Sequence, residues 1–193
     1  MTDVDLQNQT WDQRYRNSEQ VPAAVPVLAD NLHLLPPAGC ALDLACGLGG
    51  NALLLARHGL EVWAWDSSSV ALAKLDQFAR AQSLRVHTEV RDVVARPPEP
   101  ARFDIIVVSR FLERTLAPAL VAALKPGGLL YYQTFTAIKA HEGGPTNPAY
   151  LLGDNELLTL FADLRLRLYR EENRLGDLRR GQRNMALLIA ERI

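Results

Sequence analysis

The residues best placed to do chemistry are one glycine turn and three acids around it. Gly47-Leu-Gly-Gly-Asn-Ala52 has the spacing G-x-G-x-x-A, which lets a nucleotide-like ligand approach the backbone closely. Asp43 lies just before the turn, and Asp66 and Asp92 follow it. Dinucleotide dehydrogenases share the glycine spelling, but a pyrophosphate beside Asp43 would meet a like charge. A carboxylate there suits a cationic ligand. Asp66 can accept both hydroxyls of a ribose and disfavours a 2′-phosphate. Asp92 can accept a bond from an adenine amino group while Val93 packs on the ring. Each acid also has a plainer role open to it. Asp43 could cap amides of its own loop, Asp66 could cap the next helix, and Asp92 could be a turn residue.

These acids need elements to hold them. Cys40 to Ala45 is a short apolar run ending in the glycine turn and reads as a buried strand. Asn51 to His58 is helical, with Gly59 as its C-cap. Glu61 to Trp65 is a second strand ending at Asp66. Ser67 to Ser69 can cap a helix running to about Ala81. Arg85 to Val90 is a third strand, ending near Asp92. Phe103 to Ser109 is the clearest buried strand, and a helix follows from about Leu116 to Leu124. Lys125-Pro-Gly-Gly reads as a turn into a fifth strand, Leu129 to Phe135. Val27 to Leu35 reads as one short helix stopped by Pro36-Pro37. Asn155 to Ala162 reads as a helix, and Leu164 to Glu171 with Met185 to Glu191 as an antiparallel hairpin. The alternation predicts an α/β, Rossmann-like three-layer sandwich. Its seven-stranded sheet is mostly parallel and closes with a C-terminal antiparallel hairpin. Ligands of such sheets bind beyond the carboxyl ends of the strands.

Composition narrows the classes. The chain has 193 residues, 48% hydrophobic and 22% charged, with a net charge of −1. That length predicts one domain, 1–193, with a helical lid over 1–36, a core over 37–136, and a loop, helix and hairpin over 137–193. The charge balance argues against a general polyanion-binding surface. No segment approaches the roughly 18 apolar residues of a membrane span, and the polar N-terminus lacks a signal-peptide core. Cys40 and Cys46 are the two cysteines, and the four histidines are scattered, so neither a zinc site nor a disulfide scaffold is expected. The expected setting is a reduced cytoplasm, as a monomer or homodimer.

S-adenosylmethionine meets the terms set by the acids: it has no phosphate, and its sulfonium and α-ammonium favour a nearby carboxylate. Leu42-Asp-Leu-Ala-Cys-Gly-Leu-Gly-Gly-Asn resembles the first motif of the class I S-adenosylmethionine-dependent methyltransferases. Asp66 resembles their second-strand acid and Arg91-Asp92-Val93 their adenine-contact segment. Phe103-Asp-Ile-Ile-Val-Val-Ser and Leu124-Lys-Pro-Gly-Gly-Leu-Leu resemble their fourth strand and the entry to their fifth. Ala45 stands where many members have glycine, which is tolerable if its φ is negative. Trp11-Asp-Gln-Arg-Tyr is similar to a lid segment of the tellurite-resistance and thiopurine methyltransferase branches.

The resemblance implies S-adenosylmethionine as cofactor and S-adenosylhomocysteine as product. The implied cofactor residues are Asp43, Ala45, Gly47, Gly49 and Asn51, then Asp66, Ser67, Asp92, Val93 and Ser109, with Arg14 and Tyr15 from the lid. The acceptor candidates are Arg110 and Phe111, Thr134, and His141 in the loop Ala140 to Pro148. Arg110 suits an acidic or oxyanionic acceptor, unless it is only solvated or salt-bridged. No residue constellation demands a general base, and no Asn-Pro-Pro-Tyr-type motif follows the fourth strand. The expected acceptor is therefore a small thiol, oxyanion or phenol. An RNA or protein substrate, a non-catalytic cofactor-binding partner and a nicotinamide oxidoreductase are the rivals. Asp43 and the short chain argue against the last.

Overall fold

The computed structural model describes residues 11–13 and 15–193. Its strands form a mixed seven-stranded sheet, and the chain divides into two compact units, Met1–Pro97 and Pro98–Ile193. Residues 11–13 and 15–16 are helical, within the helical lid expected over 1–36; residues 1–10 and 14 lie outside the described residues. The single helix expected over Val27 to Leu35 is instead two pieces, α1 (Pro26–Ala29) and a 3-10 turn at Leu32–Leu34. Pro26 sets the start of α1. Asn31 leaves helical geometry at φ −127°, and its side-chain amide folds back onto the Val27 carbonyl.

The first unit is built on β1 (Cys40–Leu44), β2 (Glu61–Asp66) and β3 (Val86–Val90), parallel and ordered β3-β2-β1. Ala41 to Leu44 are all buried, as befits a strand covered on both faces. Between the strands run α2 (Gly50–Arg57), packed on β1 and β2, and α3 (Ser69–Ala81), packed on β2 and β3. Helix α2 ends as the sequence suggests, with Gly59 at φ +99° just past it. Ser68 starts α3 by accepting the Ala71 amide at 3.1 Å. Leu42, Leu44, Leu53, Leu55 and Leu75 are sealed from solvent. Each contributes roughly 1.5–3 kcal/mol relative to exposure.

The second unit contains β4 (Phe103–Ser109), α4 (Ala117–Ala123), β5 (Leu124–Phe135), α5 (Glu156–Leu160), β6 (Arg165–Glu171) and β7 (Met185–Glu191), with strand order β4-β5-β7-β6. β4 and β5 are parallel, and β7 is antiparallel to both β5 and β6. The expected turn at Lys125-Pro-Gly-Gly lies inside β5. The register passes from Phe103↔Leu124 to Ile105↔Leu129, so the extra residues form an irregularity in the strand. Gly127 takes the left-handed φ of +79° and donates to the Arg192 carbonyl, while Arg192 donates back to Gly128. Ladder bonds to a distant segment thus override a strong local turn signal. The helix expected over Asn155 to Ala162 is shorter, because Asn155 sits at φ +57° before it and Phe161 departs from helical geometry after it. The edge strand β6 is blunted by a register shift between Leu166 and Leu168 and by exposed arginines. Among the described residues no helix is long and apolar enough to cross a membrane.

Candidate functional site

In the first unit the sheet's carboxyl end carries two buried acids that have no basic partner among the described residues. Asp43, second to last in β1, is sealed from solvent. Its Oδ1 accepts from Asn51 Nδ2 at 3.2 Å and its Oδ2 from the Ala52 amide at 3.0 Å. Asn51 is held in turn, its Oδ1 accepting the Val25 amide at 3.0 Å. Asp43 therefore caps the first turn of α2. Burial pushes its carboxyl up to about 7, against the lowering effect of those two bonds.

Asp66 ends β2. Its Oδ2 accepts the Gly47 amide at 2.8 Å and its Oδ1 the Ser68 amide at 2.9 Å. Burial raises its carboxyl above the usual range, opposed by bonds from the Ser68, Gly47 and Ser67 amides. Asp66 is 7% exposed, so ligand access to it is narrow. The turn it grips runs through two glycines in left-handed geometry, Gly47 at φ +53° and Gly49 at φ +77°. A Cβ on Gly49 would overlap Leu75. Ala45 also has φ +54°, contrary to the negative φ expected for it. The alanine is therefore strained, held because the Cys46 amide must reach the Trp65 carbonyl at 3.0 Å. Cys46 is buried filler. Burial, and then the two nearby carboxylates, push its thiol well up.

The N-terminal segment lies over this turn. A Cβ on Gly47 would stand 2.9 Å from the Tyr15 hydroxyl. Tyr15 stacks on Trp11 at 5.9 Å. Ser68 Oγ donates to Asp12 Oδ1. Lys74 Nζ, from α3, donates to the carbonyls of Tyr15, Arg16 and Ser18 at 2.7, 2.8 and 2.7 Å. Arg14 lies outside the described residues. Sequence reasoning missed the Lys74 and Ser68–Asp12 contacts. Their partners lie 56 to 59 residues upstream, and no local pattern announces them.

Asp92 is exposed, and its Oδ1 accepts the Val94 and Ala95 amides at 2.9 and 3.2 Å, a turn arrangement. Val93 is buried beside it. Trp65 is sealed in the core with the Arg91 guanidinium 3.8 Å over its ring, whereas half-buried Trp63 stacks on His87. Both tryptophans lie on β2, two residues apart, and both are flanked by β3.

In the second unit the ends of β4 and β5 carry the acceptor candidates. Ser109 pairs with Gln133, and the Arg110 amide donates to the Gln133 carbonyl at 2.8 Å. Arg110 is exposed, at φ +54°. The Phe111 carbonyl accepts from the Tyr132 hydroxyl at 2.9 Å. Thr134 is buried, and its hydroxyl has no hydrogen-bond partner. His141 is exposed with Nε2 2.8 Å from the Leu178 carbonyl, so its ring is tied to the β6–β7 connection. Arg114 was not foreseen. It pairs with Glu156 through Nε and Nη2 and donates to the Ala149 and Leu151 carbonyls, fixing the segment before α5. Of the seven arginines between Arg165 and Arg183, four are paired locally, through Arg167–Glu191, Arg170–Glu172, Arg179–Asp177 and Arg183–Glu172. Among the described residues no group of three or more metal-ligating side chains occurs.

Residues 41–128 match the family model described as a methyltransferase domain. The chain is 32% identical over 98 residues to the ubiquinone biosynthesis O-methyltransferase of Coxiella burnetii, covering 48% of this chain and 42% of that protein. It is 32% identical over 129 residues to the trans-aconitate 2-methyltransferase of Variovorax paradoxus, covering 63% and 45%. The chain thus spans less than half the length of these relatives. The fold is similar to that of TehB from Haemophilus influenzae, with a TM-score of 0.75 and 21% identity over 95% of this chain and 67% of that one.

Proposed function

We propose that this chain, whose residues 41–128 match a methyltransferase domain, is a class I S-adenosylmethionine-dependent enzyme that methylates a small-molecule acceptor. The observation that carries the reading is the pair Asp43 and Asp66, both buried and both, among the described residues, without a basic side chain to offset them. Such a site is electrostatically incomplete. A pyrophosphate would add repulsion, whereas a sulfonium and an ammonium supply the missing charge. This donor set fits S-adenosylmethionine better than a nicotinamide dinucleotide.

When bound, S-adenosylmethionine supplies an activated methyl group for in-line displacement. The chain's residues supply position and dryness. Asp66, the more exposed of the two acids, keeps acceptor capacity beyond its three backbone amides and accepts from the ribose hydroxyls. Asp43, sealed from solvent, acts on a cation through its field rather than by contact. Gly47, Gly49 and Ala45 shape the turn, Asn51 holds Asp43, and Ser67 directs its amide to Asp66. Val93 offers an apolar surface and Asp92 an acceptor for the adenine. Tyr15 covers the glycine turn as a lid. Ser109 serves the cofactor, and Arg110, Phe111, Thr134 and His141 serve the acceptor end of the reaction.

Oxygen is the favoured acceptor atom, because the similar Coxiella protein bears the name of an O-methyltransferase and the Variovorax protein that of a methyltransferase for trans-aconitate. A thiol or phenol remains within the same chemistry. A nucleic-acid substrate is disfavoured by the internal pairing of the basic tail. The test is calorimetric titration with S-adenosylmethionine, S-adenosylhomocysteine and NAD in parallel, followed by an acceptor screen that detects S-adenosylhomocysteine release. Binding of the first two without NAD supports the reading. Binding of NAD alone overturns it.

A further inference from the structure

We infer that Arg110 and Thr134 form an anion subsite, and that the acceptor is a small molecule bearing a carboxylate held there. This rests on the methyltransferase reading and deepens it. Three observations converge. Arg110 is the first residue after β4 and adopts φ +54°, a conformation that L-residues with long side chains rarely take. The bond from its amide to the Gln133 carbonyl holds it there, so the strain is built into the ladder's end. Its guanidinium is exposed, and among the described residues no carboxylate or carbonyl engages it. Arg102, by contrast, stands at the start of β4 and is paired with Glu99.

The third observation is Thr134. Register pairs Ser109 with Gln133, so Arg110 and Thr134 are the next residues along two neighbouring parallel strands. The Thr134 side chain is 1% exposed and its hydroxyl has no hydrogen-bond partner, an unfavourable state for a buried polar group. A planar anion at the strand ends answers both needs. Its oxygens take two guanidinium N–H bonds and the Thr134 O–H. A neutral thiol or a simple phenol would leave the arginine unused. Among the described residues Arg16, Arg85, Arg165 and Arg180 also lack such a partner, but none follows a parallel strand and none has left-handed backbone. Strain, a free cation and an orphaned hydroxyl coincide at Arg110 and Thr134 alone among the described residues.

The experiment titrates the full chain, saturated with S-adenosylhomocysteine, with acetate, glutarate and tricarballylate, and with trimethyl tricarballylate as the uncharged control. The same titrations are run on Arg110→Gly, Arg110→Lys and Thr134→Val. The expected result is binding of at least one free acid but not the ester. Affinity should fall tenfold or more in Arg110→Gly, less in Arg110→Lys, and several-fold in Thr134→Val. Arg110→Gly is chosen because glycine accepts φ +54° without strain, so its melting temperature should hold or rise while carboxylate affinity is lost. Equal affinity in Arg110→Gly and wild type overturns the proposal, as does binding of none of the acids to a protein that binds S-adenosylhomocysteine. Failure to bind S-adenosylhomocysteine strikes the cofactor reading instead, and titration of the acids without it then still decides the role of Arg110.

Discussion

The Gly47 amide donates to Asp66 Oδ2 across 2.8 Å, while the other oxygen of that carboxylate takes the Ser68 amide. One side chain therefore sets the distance between the glycine turn and the start of α3. Replacing it by asparagine keeps the size but swaps one acceptor oxygen for an amide donor that would face an N–H. The ribose also loses a charged acceptor. Asp66→Asn is expected to weaken S-adenosylmethionine binding by about 1.5–3 kcal/mol, or roughly ten- to a hundredfold. Calorimetry decides: affinity within twofold of wild type would remove Asp66 from the site.

Asp43 carries a pH signature. Its folded pKa is about 7 because burial penalises the charged form, whereas the unfolded value is near 3.8. The native state therefore holds this proton more tightly than the unfolded chain. The resulting contribution to stability is fully present below about pH 4 and is lost as pH rises through about 7. Other carboxylates superimpose their own trends, so the informative quantity is the difference between wild type and Asp43→Asn. That difference should shift by a few kcal/mol between pH 4 and 7 and be flat above 8. A cationic ligand favours the ionised form, so S-adenosylmethionine affinity should rise from pH 6 to 8 in wild type and lose that slope in Asp43→Asn. A parallel slope in both proteins would show that Asp43 does not sense the ligand.

Ala45 and Gly47 make opposite predictions from nearly the same backbone angle. Ala45 at φ +54° is strained by its Cβ, so Ala45→Gly should stabilise the protein by about 1 kcal/mol net of glycine's entropy, or a melting shift of roughly 2–4 °C. Gly47 at φ +53° is already relaxed, and an added Cβ would press on the Tyr15 hydroxyl at 2.9 Å. Gly47→Ala should destabilise and displace Tyr15, which tyrosine fluorescence or amide exchange at residues 15–18 would report. A melting temperature lowered by Ala45→Gly would mean that the loop, not the alanine, sets the strain.

The parts of the molecule legible in the sequence are those set by short-range pattern. Ile105 to Val108 announce a buried strand because both faces are covered, and Ser68 announces a helix start because its hydroxyl needs only the Ala71 amide. What escaped depends on partners far along the chain. Lys125-Pro-Gly-Gly has turn chemistry, yet Arg192, more than sixty residues later, keeps it in the ladder. The positive φ of Ala45 follows from a bond between Cys46 and Trp65 on another strand. The three acids around the glycine turn could be singled out by spacing. That Asp43 spends both oxygens on α2, leaving Asp66 the more open of the pair, could not.

Lys74 shows what such a distant contact can control. Its ammonium gathers the carbonyls of Tyr15, Arg16 and Ser18, at and just past the end of the helical residues 15–16, where a cation is also favoured by the helix dipole. The methionine stem of Lys74→Met preserves the packing of α3 but supplies no donor. The segment carrying Tyr15 would lose about 2 kcal/mol of attachment, while the sheet and its core keep their contacts. Global melting should therefore fall by only a few degrees. Amide exchange and proteolysis at residues 11–18 should speed up by an order of magnitude or more. If the segment covers bound cofactor, S-adenosylmethionine should dissociate faster from Lys74→Met with its association rate little changed, because a cover holds a ligand in rather than guiding it there. Faster exchange with an unchanged dissociation rate would separate the two ideas: the segment is held by Lys74, but it does not lid the site.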